Sequence, residues 1–558
     1  IQHIAEHRAL PVQSESTQGA WEQEGSQPPL YYLIGALLVG GIDLEDAEQL
    51  LWVNPQANVG DPLNPGNKNV YIHPAEQSYP WRGATLAVHV LRFYSLALGV
   101  ASVGLVWCIA KLLFPRRSVL PLAIAGTAAS IPQFLFITSS INNDNLMTFF
   151  SALLVYLLLR RLRGGLGSLV YWLGVGVVLG LALLTKLSAL AFLGLAGLVI
   201  VLLAWYHRSW RLAVRLALAV GAGALAVGGW WYVRNLALYG EPTGLTAMWN
   251  VVGRRNNFGT ELWSEFRGLR YSFWGLFGWF SITMPDWVYR LLDGFTVLAA
   301  VGLGLEVGRW FYVGLWRGAW SAFRHREPGW GAAFRPLAYL LLGVLSIVFV
   351  AALAGWTSLT SGSQGRLLFP AIVSIAFFWV VGLRAWFPHR ARDAASVILT
   401  LALIGLALAA PWLWIAPHYA HPAVVAQVPQ DAVPLDLVFG ESIELHGVHF
   451  PQAVAFPGQP FRVDLYRQTD RTPLDTNEVM VYGDSDPDVI DLNPGDGHTV
   501  DSVLLQGLGG SDEYRIQLGR LNGGSNAVNL LDGGTGTGDE DVATVTASND
   551  DDILTVHN

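Results

Sequence analysis

The residues that could carry chemistry begin with Asp144, which lies in the polar stretch 139–146 between two long apolar runs. If those runs cross a membrane, the carboxylate lies at the membrane boundary, where a charge is costly and is seldom kept without a partner or a task. Asn142, Asn143 and Asp144 are also residue types that cap the first turn of a helix well. A helix cap and an active-site acid are therefore both open interpretations of this stretch.

Other polar side chains fall at the ends of the apolar runs on the same predicted side of the membrane, namely Arg92, Lys186, Arg234, Gln364 and Arg366. An arginine fork binds a phosphate through two parallel hydrogen bonds, and a carboxylate beside it can act as a general base. The alternative is that each arginine simply reaches for the lipid headgroups. We predict a charged pocket in which Asp144 is catalytic and the others bind substrate, together with His73 from the long polar loop 43–89; no metal ligand is predicted.

The composition indicates a membrane protein with water-soluble parts. Hydrophobic residues make up 52% of the 558 residues, charged residues only 14%, and the mean hydropathy is +0.39, whereas about a quarter of a soluble domain is charged. Residues 481–558 hold 15 acidic and 2 basic side chains, so an acidic tail follows a mildly basic body. The single Cys108 excludes a disulfide framework, and no basic cluster with interleaved aromatic residues indicates nucleic-acid binding.

Ten apolar segments are near the length of about 20 residues that a helix needs to cross hydrocarbon. They are residues 90–113, 119–137, 145–159, 168–185, 188–205, 212–232, 287–307, 335–354, 367–384 and 395–415. The two segments on either side of Lys186 are also compatible with one broken helix. The predicted fold class is a polytopic α-helical membrane protein with a C-terminal extracytoplasmic β-rich region.

The loops between these segments alternate between arginine-rich and arginine-poor. The arginine-rich loops contain residues 116–117, 160–163, 208–211, 317–326 and 384–392. Positively charged loops stay in the cytoplasm, so the predicted pocket and the C-terminus face the outside of a cell inner or plasma membrane. This orientation predicts a multi-pass protein in contact with membrane lipids.

We predict four regions along the chain: a first extracytoplasmic loop with interfacial helices over 1–89, a transmembrane domain over 90–415, a small extracytoplasmic β domain over 416–475, and an acidic Gly/Asp-rich tail over 476–558. Alternating apolar residues between Leu435 and Leu465 indicate strands. In the tail, residues 509–512 and 533–539 are similar to the Gly/Asp repeats of calcium-binding parallel β-helices. A turn-rich β tail without metal is the alternative.

Several short motifs follow one another along the chain: residues 27–32 (QPPLYY), Arg92 near the start of a span, 143–145 (NDN), 180–186 (GLALLTK), 230–235 (WWYVRN) with 239–242 (YGEP), and 364–370 (QGRLLFP). In this order, and on these predicted sides of the membrane, the set resembles the polytopic GT-C glycosyltransferases. The specific resemblance is to the bacterial glycosyltransferase family 39 group, which is related to protein O-mannosyltransferases and lipid A aminoarabinose transferases. It covers about residues 1–470.

The resemblance implies transfer of a sugar, with inversion, from a polyprenyl-phosphate donor to a protein, glycan or lipid acceptor on the extracytoplasmic face. It implies no further cofactor and leaves a divalent metal open. In the family a carboxylate of the first outer loop is the general base. Asp144 matches the acid of the second outer loop, which assists the site, and Arg92, Arg234 and Arg366 are implied to bind the phosphate, with Lys186 beside them.

This sequence departs from the family pattern at its start. The first span and the acidic motif after it are not found, and residues 1–7 resemble the helix that follows that motif. The expectation is an N-terminally truncated chain without its principal catalytic carboxylate, which leaves its activity by itself open. Two other classes are kept: a transporter or flippase of lipid-linked saccharides, which requires inverted repeats that the sequence does not show, and a surface-attachment protein with a calcium-binding tail.

Overall fold

The computed structural model divides the chain into two compact units, each described here by itself. The helical unit comprises Ile1–Pro55 and Val70–Pro417, and the second unit comprises Gln56–Asn69 and His418–Asn558. The structure describes residues 1–13, 25–51, 53–54, 57, 60, 62, 68–73, 77–253, 255, 262–316, 330–360, 364–419, 425, 427–439, 443–449, 461–469, 472–481, 489–492, 502–507, 513–517, 527–532, 542–546 and 553–557.

The helical unit is built from helices of very different lengths. Its α-helices are α1 (Gln2–His7), α2 (Leu30–Val39), α3 (Gly83–Leu113), α4 (Val119–Ala129), α5 (Pro132–Thr138), α6 (Asn143–Gly164), α7 (Leu169–Leu183), α8 (Ala191–Tyr206), α9 (Trp210–Tyr239), α10 (Leu245–Val252), α11 (Leu262–Trp274), α12 (Asp286–Trp316), α13 (Trp330–Leu359), α14 (Ile372–Arg384) and α15 (Arg392–Ala410). Short 3-10 segments are Ala47–Leu51, Leu187–Leu190 and Gly365–Ala371, and a π-helical turn covers Pro411–Ile415. A hairpin of β1 (Leu276–Phe277) and β2 (Ile282–Thr283) follows α11.

The chain is a multi-pass membrane protein. Helices long and apolar enough to cross a membrane are, within the described residues, Gly83–Leu113, Asn143–Gly164, Leu187–Tyr206, Trp210–Tyr239, Asp286–Arg309, Phe334–Leu359, Gly365–Arg384 and Arg392–Tyr419. Each of the ten predicted segments lies on one or more of the unit's helices, but two of them depart from a simple span. The segment 119–137 is a pair of helices bent by 66°, and α7 has only 15 residues, which is less than a straight crossing needs.

Two breaks in the helices follow from local sequence. Pro132 at the first turn of α5 lacks a backbone N–H and restricts the residue before it, so α4 cannot continue into α5. Near Lys186 the backbone becomes extended between α7 and the 3-10 turn Leu187–Leu190. The two predicted segments around Lys186 are therefore separate helices, with Lys186 in the gap.

Glycines bring α7 and α9 into backbone contact. A side chain at Gly176 would collide with the Val220 carbonyl, and one at Gly180 with the Ala224 carbonyl. From the α9 side, Gly223 meets the backbone of α7 at Leu173 in the same way. Small residues four apart are the usual means by which membrane helices approach closely, so these glycines let α7 and α9 pack backbone against backbone.

Helix α2 packs against α3 and α6 without adding a span. Helix α2 has ten residues, too few to cross the bilayer, and its first amide, Leu30 N–H, donates to the Leu184 carbonyl at 2.8 Å. Helix α3 begins at Gly83, earlier than the predicted start at residue 90. Its N-terminus is capped by Asp46, which lies 38 residues earlier in the chain than Ala84: Ala84 N–H donates to Asp46 Oδ1 at 2.8 Å.

The second unit contains the predicted β-rich region. Strands β3 (Val433–Phe439), β4 (Ile443–His449), β5 (Phe461–Thr469) and β6 (Thr472–Val481) form an antiparallel sheet in sequence order. The boundary predicted between residues 475 and 476 falls inside β6. Strands β7 (Val489–Leu492), β9 (Glu513–Gln517) and β11 (Val542–Thr546) form one parallel sheet, and β8 (Ser502–Gly507), β10 (Ala527–Asp532) and β12 (Ile553–His557) form another.

Successive strands of the tail thus alternate between two parallel sheets, which is the arrangement of a repeating β-solenoid. The Gly/Asp runs 509–512 and 533–539, which suggested calcium binding, lie outside the described residues. Calcium binding by the tail therefore stays a prediction.

Candidate functional site

Asp144 lies in the first turn of α6 and is almost fully buried, with 2% of its surface exposed. Asn142 is the N-cap residue, and its side-chain oxygen accepts a hydrogen bond from Asp144 N–H at 2.8 Å. The cap is therefore made by Asn142, and the carboxylate of Asp144 is available for other contacts. A negative charge in the first turn also interacts favourably with the helix dipole.

Two cations face the Asp144 carboxylate. Lys186 Nζ donates to Oδ1, and Arg366 Nε lies 3.8 Å from Oδ2. The side chains of Lys186 and Arg366 are 24% and 28% exposed, so both cations bridge the buried acid and more open space. Because the charges are two positive and one negative, this cluster keeps a net positive charge next to the membrane boundary.

Arg366 is positioned by its neighbours in the chain and by α11. Gly365 lies directly against the Phe273 backbone, where any side chain would collide, and Gly365 N–H donates to Ser272 Oγ at 2.8 Å. Arg366 Nε donates to the side-chain oxygen of Gln364. The Gln-Gly-Arg sequence therefore fixes a backbone turn and the direction of the guanidinium together.

A cavity of about 1220 Å³ opens beside this cluster. Arg92, Gln364 and Arg366 all line it, so predicted site residues from two distant parts of the chain meet at one cavity. Other lining residues are polar or aromatic, among them Gln27, Tyr32, Gln133, Asn142, Trp231 and Trp279, and others are apolar, among them Ile4, Leu10, Phe136, Ile137, Ile141 and Leu276. The cavity is therefore suited to a molecule with a charged head and an apolar tail.

The segment 27–32 is attached to the α6 N-terminus by side-chain hydrogen bonds. Asn143 Nδ2 donates to Gln27 Oε1 at 2.9 Å and to the Tyr32 hydroxyl at 3.2 Å. The buried Tyr31 hydroxyl accepts from Asn142 N–H at 3.0 Å and contacts Ser95 Oγ at 2.8 Å. Two of the sequence motifs thus form one hydrogen-bonded corner of the cavity.

The remaining predicted residues occupy different positions. Arg234 does not line the cavity; its Nη2 donates to the Pro11 carbonyl at 3.0 Å, and its guanidinium lies 4.9 Å from the ring centroid of Trp231. Pro11 and Trp231 are themselves wall residues, so Arg234 supports the wall from behind. The structure does not bring His73 to this cavity: its exposed ring makes a 2.7 Å hydrogen bond with Gln77 Oε1.

Some wall residues were missed by sequence reasoning. Gln133 is buried, and its Oε1 accepts from Leu276 N–H at 2.7 Å. A polar residue directly after Pro132, inside an apolar run, was a signal that could have indicated it. Glu6 and His7 of α1 also line the cavity, and a short polar helix gives no such signal. Over the described residues, no three His, Cys, Asp or Glu side chains form a group suited to a metal ion.

Solved structures with some similarity to the chain are those of ArnT from Cupriavidus metallidurans. The apo structure shares 15% identity, with 74% of this chain and 58% of that chain covered and a TM-score of 0.38. The structure bound to undecaprenyl phosphate shares 16% identity, with 68% and 64% covered and a TM-score of 0.35. This chain spans less than two thirds of the length of these proteins. No curated protein sequence matches it.

A family model matches part of the transmembrane region. Residues 87–232, roughly a quarter of the chain, match the family described as dolichyl-phosphate-mannose-protein mannosyltransferase. The matched segment contains Arg92, Asp144 and Lys186 and ends just before Arg234. The match confirms the resemblance that the motifs indicate: over this segment, the chain is similar to the GT-C membrane glycosyltransferases.

Proposed function

We propose that this protein is a membrane glycosyltransferase that takes a sugar from a polyprenyl-phosphate donor and transfers it to an acceptor hydroxyl on the extracytoplasmic face. One observation carries the proposal: a buried carboxylate, Asp144, pairs with Lys186 and Arg366, and Arg366 lines a large amphipathic cavity with Arg92. The similarity of residues 87–232 to mannosyltransferases supports the same reaction class.

The size and lining of the cavity support a lipid-linked sugar as the ligand. About 1220 Å³ exceeds what a single sugar ring needs and is at the large end of ligand sites. In our proposal the sugar and its phosphate lie toward Arg366 and Gln364, and the isoprenoid tail leaves along apolar residues such as Phe136 and Ile141. Tyr32 and the exposed Trp279 offer flat faces and polar edges for the sugar.

Arg366 and Arg92 are the proposed phosphate ligands. In the transfer, the acceptor hydroxyl oxygen attacks the anomeric carbon, and the bond from that carbon to the phosphate oxygen breaks. The electron pair of that bond stays on the departing polyprenyl phosphate, and the hydroxyl proton passes to this phosphate or to water. Guanidinium groups stabilise this developing charge, which is where electrostatic catalysis acts most strongly. Attack opposite the leaving group inverts the anomeric configuration.

Asp144, which the sequence suggested as catalytic, has a positioning role in this proposal. Its carboxylate is enclosed by Lys186 and Arg366 and does not itself line the cavity, so it holds the guanidinium in place and offsets part of its charge. Arg234 supports the Trp231 wall. His73 is left outside the proposed site, because its ring contacts Gln77 and does not line the cavity.

Binding of undecaprenyl phosphate to the purified chain, and sugar transfer from the loaded carrier, test the proposal. We expect Arg366→Gln and Arg92→Gln each to weaken phosphate binding by about tenfold or more, since a charge-assisted hydrogen bond is worth more than a neutral one. Arg82→Gln is the matched control, because Arg82 is exposed near the same end of α3 but does not line the cavity.

Equal binding by all three variants and the unsubstituted chain would contradict the proposed phosphate site. Movement of the intact lipid-linked saccharide across a vesicle membrane, without a new glycosidic bond, would instead support the transporter interpretation.

A further inference from the structure

A second cavity lies at the opposite end of the transmembrane helices. The span Gly365–Arg384 begins beside the first cavity with Arg366, and its last residue, Arg384, lines the second cavity. The second cavity has a volume of about 370 Å³. Its charged lining residues are Arg116, Arg117, Arg335, Arg384, Arg392 and Glu306.

Carboxylates neutralise only part of this charge. Arg392 Nη2 lies 2.6 Å from Glu306 Oε1. Arg384 Nη2 donates to Asp393 Oδ1 at 3.1 Å, and Arg117 Nη1 lies 3.6 Å from the other oxygen of the same carboxylate. Two carboxylates therefore serve three of the five arginines.

The other two arginines, Arg116 and Arg335, are exposed, and no carboxylate in the described part of the chain lies within ion-pair distance of either. Arg335 Nε donates to the Leu113 carbonyl at 3.2 Å, and its guanidinium lies 5.7 Å from the centroid of the Phe114 ring. These contacts hold Arg335 at the cavity without neutralising its charge. The described site thus has three more positive than negative charges.

Apolar side chains complete the lining. Phe114, Leu120, Tyr339 and Val381 line the same cavity between α3, α4, α13 and α14. A fully solvated anion gains no free energy from contact with an apolar surface, whereas the glycerol and first methylene groups of a lipid do gain it when they are buried there. The volume is also within the range of small-molecule sites.

We propose that this arginine-rich cavity binds the phosphate group of an anionic phospholipid. The guanidinium forks take the headgroup phosphate, and the apolar residues take the upper part of the lipid. Basic pockets between transmembrane helices at the membrane surface bind anionic headgroups in this way. The site is separate from the proposed active site and does not depend on the glycosyltransferase proposal.

Thermal unfolding of the full chain in neutral detergent tests the site with three probes: phosphatidylglycerol, phosphatidylcholine and inorganic phosphate. A ligand that binds the folded state raises the unfolding midpoint with concentration. We expect phosphatidylglycerol to stabilise the chain and phosphatidylcholine, whose headgroup is neutral overall, to have little effect. The double variant Arg116→Gln/Arg335→Gln is expected to weaken phosphatidylglycerol binding by at least about tenfold.

The double variant Arg160→Gln/Arg211→Gln is the matched control. Both arginines are exposed at this end of the helices but do not line the cavity, so the control removes the same charge and is expected to bind normally. If the glutamine pair at 116 and 335 fails to fold, Arg116→Lys/Arg335→Lys keeps the charge and is expected to bind more weakly than arginine, because an ammonium cannot make the paired hydrogen bonds.

Stabilisation by phosphatidylglycerol alone supports the lipid headgroup as the ligand. Stabilisation by inorganic phosphate as well, in competition with the lipid, supports a phosphate site that either source fills. Equal losses in the two glutamine pairs, or equal stabilisation by phosphatidylglycerol and phosphatidylcholine, would overturn the proposal, since the arginines would then act only as a general surface charge.

Discussion

The charge balance around Asp144 determines what each member of the cluster can do. Lys186 and Arg366 share one carboxylate that is almost completely buried, and burial makes an unpaired charge expensive. Loss of both cations would leave the acid uncompensated, and each of them contacts a different carboxylate oxygen. The guanidinium of Arg366 is therefore held in one orientation while its remaining N–H groups are free to face the cavity that it lines.

Asp144→Asn tests this balance, because the amide has nearly the same shape but no charge. We expect a loss of stability on the order of 3 kcal/mol, since removing one member of a buried ion pair leaves the others unpaired. Thermal unfolding in detergent measures the loss. Asp286→Asn is the control: it removes a carboxylate from exposed ion pairs with Arg290 and Arg270, where a smaller effect is expected. Equal shifts in the two variants would show that Asp144 is not a buried counter-charge.

At the level of individual residues, the sequence predicts only part of the site. The polar side chains at the ends of apolar runs could be identified, and Arg92, Gln364 and Arg366 do line one cavity. Hydropathy gives the depth of a residue but not the direction of its side chain, so it could not show that Arg234 turns to the Pro11 carbonyl. For the same reason it could not separate His73 from the site, since the path of a long polar loop has no periodic signal.

At the scale of elements, the contact between α7 and α9 makes a specific prediction about two glycines. Gly176→Ala places a methyl group against the Val220 carbonyl, whereas Gly174→Ala, two residues earlier on α7, points into open space. We expect Gly176→Ala to destabilise the protein by about 1–3 kcal/mol, as overpacking does. Gly174→Ala is expected to be neutral or slightly stabilising, because alanine favours a helix over glycine.

Thermal unfolding of the two alanine variants side by side provides the measurement. If both lowered the midpoint equally, close packing of α7 on α9 would not explain the loss, because a methyl group at Gly174 does not contact α9. The apolar runs predicted that both helices exist, but their lengths could not reveal that α7 is too short for a straight crossing. How this short helix fits in the membrane depends on its contact with α9, and a hydropathy pattern contains no information on contacts between helices.

At the scale of the whole molecule, the alternation of arginine-rich loops predicts which end of the helices faces outward. Ile141 lines the first cavity, and Arg211 is exposed at the other end of the helices. In a Cys108→Ala background, we expect Ile141→Cys to react with a membrane-impermeant maleimide in intact cells, and Arg211→Cys to react only after permeabilisation. The reverse pattern would place the proposed active site in the cytoplasm and contradict the proposed reaction on the outer face.

The fold class was accessible from the sequence at this scale because hydrophobic length and charge asymmetry act on whole helices. The β-rich character of the second unit was also accessible from its alternating residues. The division of its last six strands between two parallel sheets could not be predicted, because pairing between strands far apart in the chain leaves only an imperfect repeat in the sequence.

The glycine contact between α7 and α9 has a consequence for how a bulky lipid enters. Because the backbones of α7 and α9 are in direct contact, no side chain between them can move to make room. Trp231 on α9 therefore lines a rigid part of the cavity. We expect the donor to enter between α1 and the hairpin residues Leu276, Trp279 and Phe280, which line the same cavity and belong to neither of these two helices. Cross-linking α1 to the hairpin should trap a bound donor or exclude a free one, whereas cross-linking α7 to α9 should leave donor binding unchanged.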